Sequence, residues 1–108
     1  MSETPFDKTF KGMIIRDFEL DESTQSMTVD EMIGQLRQFI TRLIDENMEL
    51  LFYFLYRIDL PESKVMEALT RSETPSDSLV DLIVEREREK TQTRLLYQND
   101  DKGDGWLD

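Results

Sequence analysis

From Val29 onward, apolar side chains recur in steps of three and four, at Val29, Ile33, Leu36, Ile40, Leu43 and Ile44. That spacing places them on one face of an amphipathic helix. Thr28-Val-Asp-Glu31 opens it as a capping box, in which the Thr hydroxyl takes the N3 amide and Glu31 reaches back to the cap. Gly34 inside the helix weakens it by about 1 kcal/mol relative to Ala. At Asp45-Glu-Asn47 the pattern breaks, and both Asp45 and Asn47 suit a cap position. A tight turn there, joining two antiparallel helices, is expected in preference to one helix from 28 to 58.

The second helix, about 47–58, carries Leu50, Leu51, Phe52, Tyr53, Phe54, Leu55, Tyr56 and Ile58 nearly all the way round. A surface helix of a small protein has one apolar stripe and one polar face. This one is expected to be central to the core or to face a partner. Asp59-Leu60-Pro61-Glu62 stops it, with Pro61 at the first position of a third helix that runs to about Arg71 and turns Val65, Met66 and Leu69 inward. Thr74-Pro75-Ser76-Asp77 repeats a helix start, with Thr as N-cap, Pro at N1 and Asp near the positive helix end. The fourth helix then runs to about Tyr97. Its first half, Leu79–Val84, is apolar, and the run Glu85–Lys90 that follows is entirely charged.

These patterns predict an all-α fold: a four-helix, mostly antiparallel bundle over residues 28–97. Residues 1–27 are expected as a polar, partly ordered arm, with Lys11–Leu20 as a short strand or a single helical turn. Residues 98–108 are expected as a flexible acidic tail.

Composition narrows the function classes. The chain has 108 residues, a net charge of −11, no Cys and no His. Absent Cys and His remove disulfides, thiol nucleophiles, His bases and the usual zinc ligands. Excess negative charge opposes binding to nucleic-acid phosphates and to anionic membrane surfaces. No apolar run approaches the roughly 20 residues of a membrane span, and the N-terminus lacks a signal-peptide pattern. A cytoplasmic protein without nucleic-acid or membrane partners is expected.

Leu55-Tyr-Arg-Ile-Asp-Leu-Pro-Glu62, followed by Leu82-Ile-Val-Glu-Arg-Glu87 and Lys90, resembles a family of small uncharacterised bacterial proteins. Its members carry a "LYRID" stretch and, some twenty residues on, "LIxERxxxK". The resemblance covers about 36–97. It implies an all-helical unit with no assigned activity, and a single cluster of Tyr56, Arg57, Asp59, Glu85, Arg86 and Lys90. Within it, Arg57 is expected to pair with Glu85, and Arg86 to meet Asp59. The bland reading of Arg57 and Asp59 is a cation and a cap at a helix end.

The Glu85–Lys90 run reads as a solvated face of i,i+3 pairs, each worth about 0.2–0.5 kcal/mol. Glu85 and Glu89 share a helix face, yet no second acidic motif accompanies them as a Mg²⁺ site would need. Asp100-x-Lys102-x-Asp104-Gly105 resembles a calcium loop superficially but has Lys at the third position and no closing Glu. Tyr53, Tyr56, Phe52 and Phe54 read as core or subunit interface, and Trp106-Leu107 as the end of the polar tail or a short docking motif. No catalytic, metal or cofactor residues are assigned.

The reading is therefore a non-enzymatic protein–protein interaction or adaptor module, self-associating as a homodimer. The alternatives are an acidic regulator that binds a basic protein surface as a nucleic-acid mimic, and a carboxylate-based metal-dependent hydrolase. Acidic residues spread evenly along the chain give no phosphate-like block for a mimic.

Overall fold

The computed structural model describes residues 3–104, with side chains for residues 3–98. It holds five α-helices, α1 (Pro5–Phe18), α2 (Val29–Glu46), α3 (Met48–Arg57), α4 (Glu62–Arg71) and α5 (Pro75–Asp104), and a 3₁₀ turn at Glu22–Ser26. Among the described residues there is no strand. The expected count of four helices is corrected to five, and the additional one comes from the segment expected as a polar arm.

α1 starts on the same Thr-Pro pattern that opens α5. Thr4 caps it by accepting the Asp7 N–H at 3.0 Å, and Pro5 occupies the first turn, where its missing N–H leaves nothing unpaired. Phe10, Ile14 and Phe18, one turn apart, are all buried. Burying a side chain of this size contributes about 1.5–3 kcal/mol, enough for α1 to dock as an integral element. Phe18 packs on Phe54 of α3 with ring centroids 5.4 Å apart.

α2 begins at the expected capping box, with both reciprocal hydrogen bonds made between Thr28 and Glu31. The expected turn is a single residue. Asn47 ends α2 and caps α3, its side chain accepting the Leu50 N–H at 3.1 Å. α3 turns Leu51, Phe54, Leu55 and Ile58 into the core and leaves Tyr53 and Tyr56 exposed, so it is a boundary helix and not a central one. It closes in a Schellman motif: Leu60 N–H donates to Leu55 O and Asp59 N–H to Tyr56 O, with Asp59 left-handed at φ 62°. Pro61 is the N-cap residue of α4, one position earlier than expected. Met66, expected inward, is 42% exposed.

α5 is the spine, against which α1, α2 and α4 pack. At 1.5 Å per residue its 30 residues span about 45 Å, close to the 47 Å long dimension of the molecule. Its helical backbone continues through residues 98–104, expected as a loose tail. The Trp106-Leu107 pair lies outside the described residues, as do all the side chains of the calcium-loop-like stretch.

Candidate functional site

The six residues expected to cluster are divided by the fold. Arg57, at the end of α3, pairs with Glu19 at 2.7 Å and not with Glu85. It also donates to Tyr53 Oη at 3.1 Å and to the Arg16 carbonyl at 3.3 Å. The expected Arg57–Glu85 pair is thus replaced because α1, absent from that reading, brings Glu19 to the α3 terminus. A hydrogen bond to Glu19 is the main cause that raises the Arg57 pKa above its ordinary value.

Arg86 does reach the α3–α4 connection, as expected. Its Nε donates to the Ile58 carbonyl at 2.8 Å, and a second guanidinium nitrogen lies 4.0 Å from Asp59. Asp59, Glu85, Arg86 and Glu89 line one shallow cleft with Lys64 and Leu82. Arg86 also pairs with Glu89 at 3.3 Å, so Glu89 is committed to a cation. Among the described residues no three acidic side chains gather as a metal site. Tyr56 lies apart on the outer face of α3, stacked on Phe52 at 6.1 Å.

Lys90 belongs to a different and more buried cluster, between α1 and α5. Its ammonium donates to Asp17 at 2.6 Å and lies 3.6 Å from Glu87. Glu87 is 0% exposed and Asp17 4%. Below them Thr91 donates to the Glu87 backbone carbonyl at 2.7 Å and contacts Met13 Sδ. The charged run 85–90, expected as a solvated face, therefore buries one of its members completely. The helix is continuous there, as expected, but not uniformly exposed.

As a carboxylate, neither Glu87 oxygen has a hydrogen-bond partner. A buried ionised carboxylate without partners is costly, and such a group takes up a proton instead. Burial first, then the hydrogen bond and negative charge of Asp17, push the Glu87 pKa up to about 8, against the opposing pull of Lys90. Burial also acts to raise Asp17, but hydrogen bonds from Lys90 and Glu87 and the charges of Lys90 and Arg16 outweigh it and lower its pKa. At neutral pH the cluster is a neutral Glu87 acid donating to an Asp17 carboxylate that also accepts from Lys90. With no exposed surface, Glu87 has no route to a substrate. What the arrangement does chemically is lock α1 onto α5.

A second lock lies at the other side of α1. The Lys11 ammonium, 4% exposed, donates to the carbonyls of Gln25 and Met27 at 2.8 and 2.6 Å and pairs with Glu3 at 2.8 Å. All three ammonium donors are used. Sequence reasoning missed Lys11, Asp17 and Glu87. For Glu87 a signal existed: positions 80, 83, 87 and 91 continue one helical stripe, so Glu87 and Thr91 fall in line with Val80 and Ile83.

Compared with protein-family models, with curated proteins and with solved structures, the chain matches none. No described helix is long and apolar enough to cross a membrane.

Proposed function

We propose that the chain is a non-enzymatic protein–protein interaction module that self-associates through the outer face of α3. The observation that carries this reading is the row Met48, Phe52 and Tyr56, spaced four residues apart, with Tyr53 beside it. Tyr53 and Tyr56 are 51% and 55% exposed, Met48 is exposed and Phe52 half-buried. Tyr, Phe and Met are enriched at protein interfaces, and Tyr anchors are common among residues whose truncation weakens binding most. The row stands on a helix whose other face is fixed in the core, so its geometry is preorganised.

The occupant that suits it is a second copy. α3 has Glu46 and Glu49 at or near its N-terminal end and Arg57 at its C-terminal end. Packed against itself around a two-fold axis, each copy lays its row on the same row of the other, its acidic end lies near the Arg57–Glu19 pair of the partner, and the helix dipoles oppose. Sedimentation velocity of Tyr53→Ser/Tyr56→Ser beside the wild type tests this. The double variant is expected to sediment as a monomer, with the helical circular dichroism of the wild type retained, where the wild type is dimeric. Equal association of both proteins would place any interface elsewhere.

A further inference from the structure

Seven of the chain's 13 basic residues lie on two neighbouring helix stretches: Lys8, Lys11 and Arg16 on α1, and Arg86, Arg88, Lys90 and Arg94 on α5. Four of the seven are committed. Lys11, Lys90 and Arg86 are held by the partners described above, and Arg88 covers the Phe10 ring at 5.1 Å. Lys8, Arg16 and Arg94 remain. Among the described residues, Lys8 and Arg94 form no ion pair. Arg16 has only Asp17 at 3.5 Å, whose charge Lys90 already takes at 2.6 Å.

These three cations line one cleft of about 410 Å³ between α1, the 3₁₀ turn and α5, together with Thr9, Gln25 and Gln98. No acidic side chain among the described residues lines it, in a chain that carries 24 of them. A second cleft of about 460 Å³ shares Met13, Arg94 and Gln98 with the first, and it too is lined by no acidic side chain among the described residues. Gly12 is among the residues that line the first cleft. A Cβ there would stand 3.9 Å from Gln25 Oε1, an ordinary contact, so packing does not demand glycine. Glycine within a helix costs about 1 kcal/mol relative to alanine, and at this position its missing side chain leaves the cleft wall bare.

We infer that the cleft between α1 and α5 binds a small, multiply charged oxyanion, held by Lys8, Arg16 and Arg94. Its volume lies in the range of small-molecule sites, about 300–1,000 Å³. Two guanidinium forks present paired N–H donors that match the oxygens of a phosphate or a carboxylate. The Thr9 hydroxyl and the Gln25 and Gln98 amides add polar neighbours. Three cations on two helices favour a ligand with two or more separated negative charges over a single chloride or monovalent anion. Both a polyphosphate and a polycarboxylate carry that chemistry. This inference is independent of the α3 interface, which lies on other residues.

The test is amide chemical-shift titration of the full chain at fixed ionic strength, with pyrophosphate, with citrate and with sodium chloride. The expected result is saturable shifts centred on Gly12, Met13 and Gln25 with pyrophosphate or citrate and none with chloride. Preference for pyrophosphate assigns a phosphorylated ligand, and preference for citrate assigns a polycarboxylate. In Lys8→Gln/Arg94→Gln, both exposed positions and hence compatible with folding, affinity is expected to fall at least tenfold with an unchanged melting curve. No saturable shifts up to several millimolar of either anion, shifts centred elsewhere, or equal affinity in the double variant would overturn the site.

Discussion

Glu87 keeps its proton at neutral pH because every alternative in its surroundings is worse: full burial, a neighbouring Asp17 carboxylate, and a single ammonium already bound to that neighbour. A consequence for stability follows by linkage. Its folded pKa of about 8 lies above the ordinary carboxylate value of 4.5, so the folded state holds a proton that the unfolded chain releases. The contribution of this group is complete below the unfolded value and is lost as pH rises through the folded one. Asp17 runs oppositely, its lowered pKa stabilising the fold above the ordinary range and losing that effect in strong acid. The melting temperature is therefore expected to be highest in mildly acidic buffer and to decline towards pH 8. Glu87→Gln, neutral and similar in shape, is expected to flatten that alkaline decline, which a calorimetric pH series would read. Lys11→Met should destabilise by about 1–3 kcal/mol in urea unfolding, since it leaves two partly buried carbonyls without their donor. Of these three residues only Glu87 left a signal in the sequence, its place in line with Val80, Ile83 and Thr91. A charged residue in a charged run looks solvated until the helix that covers it is known, and for Asp17 and Glu87 that helix is the neighbouring one.

The elements themselves were legible where local chemistry decides them. The Thr28–Glu31 box and the Asn47 break depend on side chains within four residues of the backbone groups they satisfy, and the Thr74-Pro75 start on a proline at the first helical position. Replacing Thr28 by Ala is expected to lower stability by about 1 kcal/mol, the usual value of such a cap. α1 shows how a legible signal is obscured. Thr4-Pro5-Phe6-Asp7 has the same form as Thr74-Pro75-Ser76-Asp77, and Phe10, Ile14 and Phe18 follow at helical spacing. Interleaved Lys11, Arg16, Asp17 and Glu19 lowered the apparent hydrophobicity, and two of those charges turn out to be buried in pairs. The Schellman close of α3 offers a test at the same scale. Asp59 sits at φ 62°, a conformation in which L residues other than Asn and Asp are strained and glycine is free. Its side chain lies only at 4.0 Å from Arg86 and is largely exposed. Asp59→Ala, which lacks the short polar side chain that tolerates this conformation, is expected to destabilise the fold by about 1–2 kcal/mol in chemical unfolding.

At the scale of the whole molecule, α5 organises the body and α3 closes its outer side with aromatic residues only partly covered. The all-round apolar character of residues 50–58 was legible, but which residues face outward was not, because that depends on where α1 and α2 dock. Tyr53 and Tyr56 are left out as Phe18 of α1 and Phe39 of α2 take the inner positions beside Phe54. A copy carrying −11 charges repels another like it. Self-association is thus expected to strengthen between about 20 and 300 mM salt, as the screening length falls below the separation of the two acidic surfaces. The most direct test of the self-association account is sedimentation equilibrium of the wild-type chain at tens of micromolar in moderate salt. The account predicts a mass near twice 12.8 kDa. A single species at 12.8 kDa under those conditions, unchanged by added salt, would contradict it.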